Sequence, residues 1–273
     1  MTPAGIEAAG CLKFARELAL AAGGILMRHH EALAPAEIGR KGPIDMVTVA
    51  DRESEALVAA RLRARFPDHV IVAEESAALA GPFPPEVPRW YVDPLDGTTN
   101  YVRGFPFFAV SIACWRGDEP LVGVVHAPYL EETFTAARGA GAYLGGRRLR
   151  VTCTAALEEA LLATGFHYDR RTLAANNVRN FNNLILEVRG IRRTGSAAMD
   201  LAYVAAGRLD GFWEPHLNAW DVAAGILLVQ EAGGRVTDFA GGRDFLEGRS
   251  IVAAGPALHE RIRERLVEGP GIS

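Results

Sequence analysis

The sequence predicts a mixed α/β fold in two closely packed halves, and three patterns in the 273-residue chain support this interpretation. Apolar residues recur at helical spacing from Gly5 to about His30, which predicts a long amphipathic helix. Short β-type runs fill most of the first half, whereas strands and helices alternate in the second half. We therefore expect an N-terminal α+β half at residues 1–150 and a C-terminal α/β half at residues 151–273.

The elements of the first half follow from the same patterns. A second helix is expected after Asp51, whose carboxylate is suited to cap it, and Phe66-Pro67 ends this helix. Five β-type runs then predict a meandering, mainly antiparallel sheet: Val70 to Ala73, Trp90 to Val92, Ala109 to Trp115, Leu121 to His126 and Glu132 to Ala136.

In the second half, two strand-like runs alternate with three helical stretches. The strands are expected at Ala160 to Ala163 and Asp210 to Trp213, and the helices at Thr172 to Val188, Ala197 to Ala206 and Ala219 to Ala232. This alternation is typical of an α/β arrangement.

Composition and charge narrow the function classes. Hydrophobic residues make up 49% and charged residues 23%, which are globular proportions, and the net charge of −4 argues against a protein whose main task is to grip nucleic acid. Short basic runs are more typical of a solvated face or an interface: Arg147, Arg148 and Arg150, and Arg192 with Arg193.

The cysteines and the N-terminus favour a reducing, non-membrane setting. The three cysteines (Cys11, Cys114 and Cys153) are widely spaced and lack zinc-ligand spacing, so we expect reduced thiols. No leader pattern and no run of roughly 20 apolar residues is evident, so the expected location is cytoplasmic, without a membrane partner.

Acidic residues follow apolar strands at two points of the chain. The segment from Trp90 to Asn100 runs from a buried-type strand into Asp93 and Asp96, with Pro and Gly enforcing a turn. Hard cations such as Mg²⁺ prefer oxygen ligands, and close carboxylates repel each other unless a cation or a proton intervenes. A polar turn without a metal is the alternative, because Asp-Pro and Asp-Gly are common turn formers.

Two further acids occupy comparable positions. Glu74, followed by Glu75, ends the Val70 to Ala73 strand, and Asp221 lies in the first turn of a strongly apolar helix. Each also has an ordinary structural explanation, since a Glu-Glu pair is often a solvated edge and a helix N-terminus favours a carboxylate without any metal.

The segments Val72-Ala-Glu-Glu-Ser76, Asp93-Pro-Leu-Asp-Gly-Thr-Thr-Asn100 and Trp220-Asp-Val-Ala-Ala-Gly225 resemble the inositol monophosphatase family. The likeness also includes Asp45 to Asp51, Gly195 to Ala198 and Glu231 to Gly234, in the expected order. It implies a layered αβαβα sandwich like that of fructose-1,6-bisphosphatase and the related sugar phosphatases, and it implies a homodimer.

The resemblance also implies a metal site with two or three Mg²⁺ ions. Glu74, Asp93 and the Leu95 carbonyl would hold one ion, and Asp93, Asp96 and Asp221 a second ion, which Li⁺ would displace. Glu75 would lie near a weaker third position.

Roles in catalysis and substrate binding follow from the same resemblance. Water would be activated near Glu74 and Thr98, with Asp51 hydrogen-bonded to Thr98. Substrate contacts would come from Asp96, Gly97, Thr98, Gly195, Ser196, Ala197, Glu214 and Asp221. Apart from the resemblance, His216 and Asn218 are further candidates because they lie in the loop between Glu214 and Asp221. Lys41 precedes Asp45 by one residue fewer than the family pattern, so its role is open.

The expected activity is hydrolysis of inositol monophosphate. Some members of the family act on fructose 1,6-bisphosphate, histidinol phosphate or 3′-phosphoadenosine 5′-phosphate. These esters are therefore alternative substrates. A regulatory protein that binds transcription or RNA-processing machinery is an alternative of another class, which Arg192-Arg193 before Gly195 favours. Histidine- and cysteine-based phosphatase chemistry is disfavoured, because no Arg-His-Gly and no Cys-x5-Arg motif is present.

Overall fold

The computed structural model of the chain describes residues 3–30, 38–40, 46–75, 84–248 and 250–267. In these ranges helices and sheets alternate in five layers, with two large sheets that each carry helices on both faces. The layered αβαβα fold expected from the sequence is confirmed.

The first two layers come from the N-terminal part of the chain. Helices α1 (Pro3–His30) and α2 (Val49–Arg65) pack on one face of a seven-stranded sheet and bury an apolar cluster against it. The sheet runs in chain order from β3 to β9, all neighbours being antiparallel except the parallel pair β3–β4. Its strands are β3 (Val70–Ala73), β4 (Pro88–Asp96), β5 (Ala109–Arg116), β6 (Glu119–Ala127), β7 (Glu132–Ala137), β8 (Gly141–Leu144) and β9 (Arg147–Arg148).

A two-stranded ribbon precedes this sheet, and a five-stranded sheet follows it. The ribbon pairs β1 (Ile38–Arg40) with β2 (Met46–Thr48). The second sheet has the order β11-β10-β12-β14-β13. Its strands are β10 (Leu161–Thr164), β11 (Gly190–Arg192), β12 (Gly211–Pro215), β13 (Arg235–Thr237) and β14 (Ser250–Ala254).

Two helices fill the space between the sheets. Helices α5 (Ala197–Ala205) and α6 (Ala219–Glu231) are buried along most of their length because both are rich in small and apolar residues. They pack closely where Gly225 faces Leu201, since a Cβ on Gly225 would lie 2.5 Å from the Leu201 Cβ. The remaining helices are α3 (Thr98–Val102), α4 (Val178–Ile185) and α7 (Pro256–Arg263), with a 3-10 turn at Leu157–Glu159.

The structure corrects two local predictions. The helix expected from Thr172 to Val188 is only α4, because residues 165–177 form a loop in which Asn177 adopts a left-handed conformation with φ 69°. The residue at the N-cap of α2 is Thr48 rather than Asp51, which lies in the first turn. The division of the chain at residue 150 stays a prediction.

The cysteine prediction has a structural counterpart. Cys11 and Cys114 are buried and Cys153 is exposed, and none of the three forms a disulfide. Among the residues that the structure describes, no helix is both long and apolar enough to cross a membrane.

Candidate active site

A β-bulge near the end of β4 brings two aspartates to one face of the sheet. Asp93 lies opposite Ser111 of β5, and Asp96 lies opposite Ala109. Three steps along β4 therefore match two steps along β5, so β4 carries one extra residue. Because Ser111 and Ala109 are two residues apart and share a face, the bulge turns Asp93 and Asp96 to the same side.

Glu74 reaches the same edge of the sheet through the parallel pairing of β3 with β4. Ala73 lies opposite Val92, and the Glu74 N–H donates to the Val92 carbonyl at 3.2 Å. Because the strands are parallel in this register, Glu74 comes directly after β3 beside Asp93 of β4, which itself continues to Asp96.

The fourth acid comes from the start of α6, on the other side of this edge. The Ser111 hydroxyl donates to the Trp220 carbonyl at 3.3 Å, which ties β5 to the first turn of α6. Asp221 follows, and its Oδ2 accepts a hydrogen bond from the Asn218 N–H at 2.7 Å.

The four carboxylates affect one another electrostatically. Burial raises the pKa of Asp93 well above its usual value, and three neighbouring acids raise it further: Glu74, Asp96 and Asp221. Burial likewise raises the pKa of Asp221 well above its usual value, with Asp96 and Glu74 adding to the rise. The pKa of Asp96 rises to about 7 through burial, although hydrogen bonds from Ser196 and Ala198 oppose the rise.

This donor set suits a hard cation, although the side chains are not already gathered around one point. Carboxylate oxygens are the ligands that Mg²⁺ and Ca²⁺ prefer, and a cation would relieve the repulsion among these acids. Within the described ranges, no group of three or more His, Cys, Asp or Glu side chains is arranged to hold a metal ion. Asp93, Asp96 and Asp221 each direct one oxygen to a protein donor instead.

Asp51 and Thr98 meet beside this cluster. Asp51 is fully buried, and its Oδ2 accepts from the Thr48 N–H at 2.9 Å. Its Oδ1 lies 3.3 Å from the Thr98 hydroxyl, which is also 3.2 Å from the Leu95 carbonyl. The single hydroxyl proton of Thr98 therefore has two acceptors to choose from.

A glycine makes the turn between Asp96 and Thr98 possible. Gly97 has φ 100°, which disfavours other residues, and a Cβ there would lie 3.1 Å from the Phe107 carbonyl and 3.3 Å from the Gly195 carbonyl. The Asn100 amide donates to the Phe107 and Thr194 carbonyls at 2.7 and 2.8 Å, so it joins this turn to the segment before α5.

The start of α5 is attached to Asp96. Asp96 Oδ2 accepts from the Ser196 hydroxyl at 2.8 Å and from the Ala198 N–H at 2.7 Å. Gly195, with φ 92°, and Ala197 flank Ser196 in this segment. The predicted substrate-side residues of α5 therefore adjoin the acidic cluster.

Glu214, the next-to-last residue of β12, lies against Gly165, which directly follows the neighbouring strand β10. It is buried, and a Cβ on Gly165 would lie only 2.2–2.4 Å from its carboxyl group. Burial raises the pKa of Glu214 to about 8, an effect that the positive charge of Arg193 opposes and that Asp200 and Asp96 increase.

The remaining predicted residues lie in different settings. Lys41 is outside the described residues. The Glu75 N–H donates a hydrogen bond to a carboxylate of α2. His216 Nε2 lies 2.9 Å from the Ala175 carbonyl in the 165–177 loop. Because a carbonyl only accepts, this nitrogen is the donor. Asn218 is the N-cap of α6.

Most of the candidate histidines have ordinary structural partners. His29 contacts Glu53 at 2.8 Å, and His126 Nδ1 lies 3.0 Å from the Thr133 hydroxyl. His30 differs, because both of its ring nitrogens are buried without a hydrogen-bond partner in the described part of the chain. It stacks on Phe108 at 5.2 Å.

Sequence reasoning missed three residues around the site. Asp200 is buried, with both carboxylate oxygens within 2.8 Å of the Thr194 hydroxyl, and burial raises its pKa well above the usual value. Glu55 and Asn100 hold neighbouring turns. A charged residue within the apolar stretch of α5 is the one signal that identifies Asp200 from the sequence.

Comparisons with known sequences agree on a family. The family model described as "Inositol monophosphatase family" matches residues 8–270. An "Inositol-1-monophosphatase" from Mesorhizobium japonicum is 43% identical over 246 residues, which are 90% of this chain and 92% of the relative. A "Nus factor SuhB" from Pseudomonas aeruginosa is 48% identical over 244 residues, 89% and 90% of the two chains.

Solved structures show the same fold. Inositol monophosphatase from Anabaena has a TM-score of 0.86 and 40% identity, covering 97% of this chain and 98% of that chain. An inositol monophosphatase from Thermotoga maritima has a TM-score of 0.83 and 36% identity, covering 94% and 96%. The extragenic suppressor protein suhB from Bartonella henselae has a TM-score of 0.83 and 40% identity, covering 93% and 96%.

Proposed function

Because the chain belongs to the inositol monophosphatase family, we propose that it is a Mg²⁺-dependent phosphomonoesterase that hydrolyses inositol monophosphate. The observation that carries this proposal is the meeting of four carboxylates from three segments at one edge of the sheet, where burial and then the three neighbouring acids raise the pKa of Asp93 well above its usual value. A folded chain keeps such repulsion where a cation is to be bound.

The expected ion ligands are the side chains of Glu74, Asp93, Asp96 and Asp221 and the Leu95 carbonyl. When bound, magnesium ions would neutralise phosphate charge, favour ionisation of a water molecule and stabilise the departing alkoxide. Two or three ions are expected, and Li⁺ should inhibit. The cation requirement follows from the donor chemistry of these residues.

Residues beside the acids would handle the phosphate and the proton. The Gly97–Thr98 turn offers backbone N–H groups of the kind that bind phosphate oxygens. Thr98 Oγ can accept a hydrogen bond from the attacking water while its own hydroxyl proton is directed to Asp51 or to the Leu95 carbonyl. Glu74 would orient that water and Asp51 would orient Thr98.

The polyol would lie between α5 and β12. Gly195, Ser196 and Ala197 border this region through their attachment to Asp96. Glu214 offers carboxylate oxygens to adjacent hydroxyls, and the Asp221 and Asp96 carboxylates offer further acceptors. A ligand rich in hydroxyl donors suits this surface of acceptors.

The test is phosphate release with Mg²⁺ from four esters: D-myo-inositol 1-phosphate, fructose 1,6-bisphosphate, histidinol phosphate and 3′-phosphoadenosine 5′-phosphate. We expect inositol 1-phosphate to be preferred and Asp93→Asn to abolish its turnover. Asp68→Asn, which changes an exposed acid before the opposite end of β3, is the matched control and should stay active. If another ester were preferred, it would replace inositol 1-phosphate as the proposed substrate. If no ester were hydrolysed, the enzymatic proposal would be refuted.

A regulatory role is the second candidate, because several relatives at 42–48% identity are named Nus factor SuhB. The exposed Arg192 and Arg193 suit a contact with transcription or RNA-processing machinery. A pull-down of purified RNA polymerase and transcription factors should then succeed equally with the Asp93→Asn variant. Failure with both proteins would count against this role. The homodimer and the cytoplasmic location also stay predictions.

A further inference from the structure

One face of α2 contacts three different segments of the acidic site. Asp51 accepts from Thr98 after the β4 turn, and the Ser54 hydroxyl donates to the Pro94 carbonyl at 3.4 Å inside the β4 bulge. Glu55 Oε2 accepts from the Glu75 N–H at 2.7 Å. Residues 51, 54 and 55 share a face because side chains three and four positions apart are neighbours on a helix.

The Glu55 contact is the shortest of these three hydrogen bonds. Glu55 is only 5% exposed. A hydrogen bond from a backbone N–H to a buried carboxylate is charge-assisted, and such bonds are stronger than neutral ones. The bond fixes the peptide that directly follows Glu74, on the side of Glu74 that is no longer paired with β4.

We propose that Glu55 is a positioning residue that holds the Glu74–Glu75 turn against α2, so that the Glu74 carboxylate faces the ion site. The proposal rests on the Mg²⁺ site of the proposed function. Glu74 is held from both directions, by its own N–H to Val92 and by the next N–H to Glu55. Residues that orient ligands through hydrogen bonds typically change metal affinity 10–100-fold when replaced.

Three variants separate positioning from charge. Glu55→Gln keeps an oxygen acceptor for the Glu75 N–H and removes the charge. Glu55→Met keeps the unbranched shape of the side chain but removes both the oxygen acceptor and the charge. Glu53→Gln is the matched control, because Glu53 lies on the same helix but pairs at the surface with Arg28 and His29.

The readouts are Mg²⁺ affinity by calorimetry without substrate, and hydrogen exchange at the Glu75 amide. We expect Glu55→Met to weaken Mg²⁺ binding about tenfold relative to Glu55→Gln and to speed exchange at Glu75 by a similar factor. Glu55→Gln should keep exchange near that of the unaltered chain, and Glu53→Gln should change neither readout.

Equal Mg²⁺ affinity and equal Glu75 exchange in Glu55→Gln and Glu55→Met would overturn the proposal, as would slow exchange in Glu55→Met. These measurements do not depend on turnover. If the unaltered chain bound no Mg²⁺, the proposed function would fail, and the Glu75 exchange rate alone would decide whether Glu55 holds the turn.

Discussion

Helices α2 and α6 begin with the same local device but serve the site differently. Each has a polar N-cap residue followed three positions later by an aspartate, Thr48 with Asp51 and Asn218 with Asp221. In each helix one oxygen of the aspartate accepts from the N-cap N–H, at 2.9 Å in α2 and 2.7 Å in α6. Both arrangements satisfy backbone donors that a helix start leaves unpaired.

The second oxygen of each aspartate separates the two helices. Asp51 is fully buried and meets the Thr98 hydroxyl, which is a neutral donor. Asp221 faces other carboxylates, which add to the rise that burial causes in its pKa. The same capping motif therefore makes Asp51 an acid that holds a neutral hydroxyl and Asp221 an acid under electrostatic strain, which indicates that local sequence defines the cap and tertiary neighbours define the role.

Replacing Asp221 with asparagine should give the largest effect. Asp221→Asn keeps an oxygen for the Asn218 N–H and removes one of the four site charges. We expect phosphate release to fall about 1000-fold, which is the scale of losing one preorganised electrostatic contact. Because a raised pKa means that the ionised acid is disfavoured in the folded state, the metal-free chain should not lose stability.

Steady-state phosphate release and urea unfolding in the presence of a chelator measure these two quantities. A fall of less than tenfold in activity, or a clear drop in the urea midpoint, would show that Asp221 acts mainly through its hydrogen bond to the start of α6.

Unlike Asp221, Asp51 is expected to contribute to the stability of the fold. In Asp51→Ala the buried Thr48 N–H loses an acceptor and the Thr98 hydroxyl keeps only the Leu95 carbonyl. We expect a loss of about 3 kcal/mol in the free energy of unfolding, from an unsatisfied buried donor and a lost cap. Urea unfolding measures it, and Asp51→Asn should recover part of the loss. A change below 0.5 kcal/mol, roughly the scale of surface substitutions, would contradict the structural assignment.

Helix α7 begins without an acidic residue in its first turn, so it extends the comparison of α2 and α6 to a third helix. Its N-cap is Gly255, and buried His259 lies one turn inside, with Nε2 at 3.2 Å from the Thr237 hydroxyl. Burial, and after it the positive charge of Arg235, lower the pKa of His259 to about 4. The unfolded chain therefore binds this proton first as pH falls, so His259 destabilises the fold progressively below pH about 6.5.

We expect His259 to reduce the free energy of unfolding by about 2 kcal/mol between pH 7.5 and pH 5. The contribution of His259 is the difference between the unaltered chain and His259→Leu in how the free energy of unfolding depends on pH. The site acids titrate in both proteins, so their effect cancels in this difference. Parallel stability profiles for the two proteins in this pH range would contradict a buried neutral imidazole.

Much of the fold was predictable because its signals are local. The long helix, the five strands from β3 to β7 and the apolar α6 each follow from periodicity within one segment. The short strands β8, β9 and β11 lacked such a signal, and they form because a neighbouring strand is already in place. The helix was predicted to begin at Thr172, within the 165–177 loop, but the left-handed Asn177 donates to Thr164 and Gly165 and accepts from Trp213.

The candidate site was likewise predictable where its signals are local. Acids at strand and helix ends were visible as exceptions within apolar segments, and the resemblance to the family then named Glu74, Asp93, Asp96 and Asp221 together as expected metal ligands. The bulge that turns Asp96 was not visible, because it depends on the register with β5. Glu55 was equally hidden, since its partner is a backbone N–H 20 positions away.

The smallest expected effect concerns Glu214, a site acid that starts no helix and rests on Gly165. A Cβ at residue 165 would lie within 2.4 Å of the Glu214 carboxyl group, so Gly165→Ala must displace it. The backbone of Gly165 is not in the left-handed region, so alanine is tolerated there. We expect KM for inositol 1-phosphate to rise about tenfold with kcat nearly unchanged, the pattern of lost uniform binding.

A substrate without the polyol separates this effect from general damage. Release of phosphate from a simple aryl phosphate should be the same in Gly165→Ala and in the unaltered chain, because such an ester has no hydroxyls for Glu214. Gly146→Ala, at an open glycine where a Cβ meets nothing within 4 Å, is the matched control. If both esters lost activity equally, Glu214 would belong with Asp221 as part of the charge that the metal site requires. If only KM for the polyol ester rose, Glu214 would be a recognition acid, distinct from both helix-start aspartates.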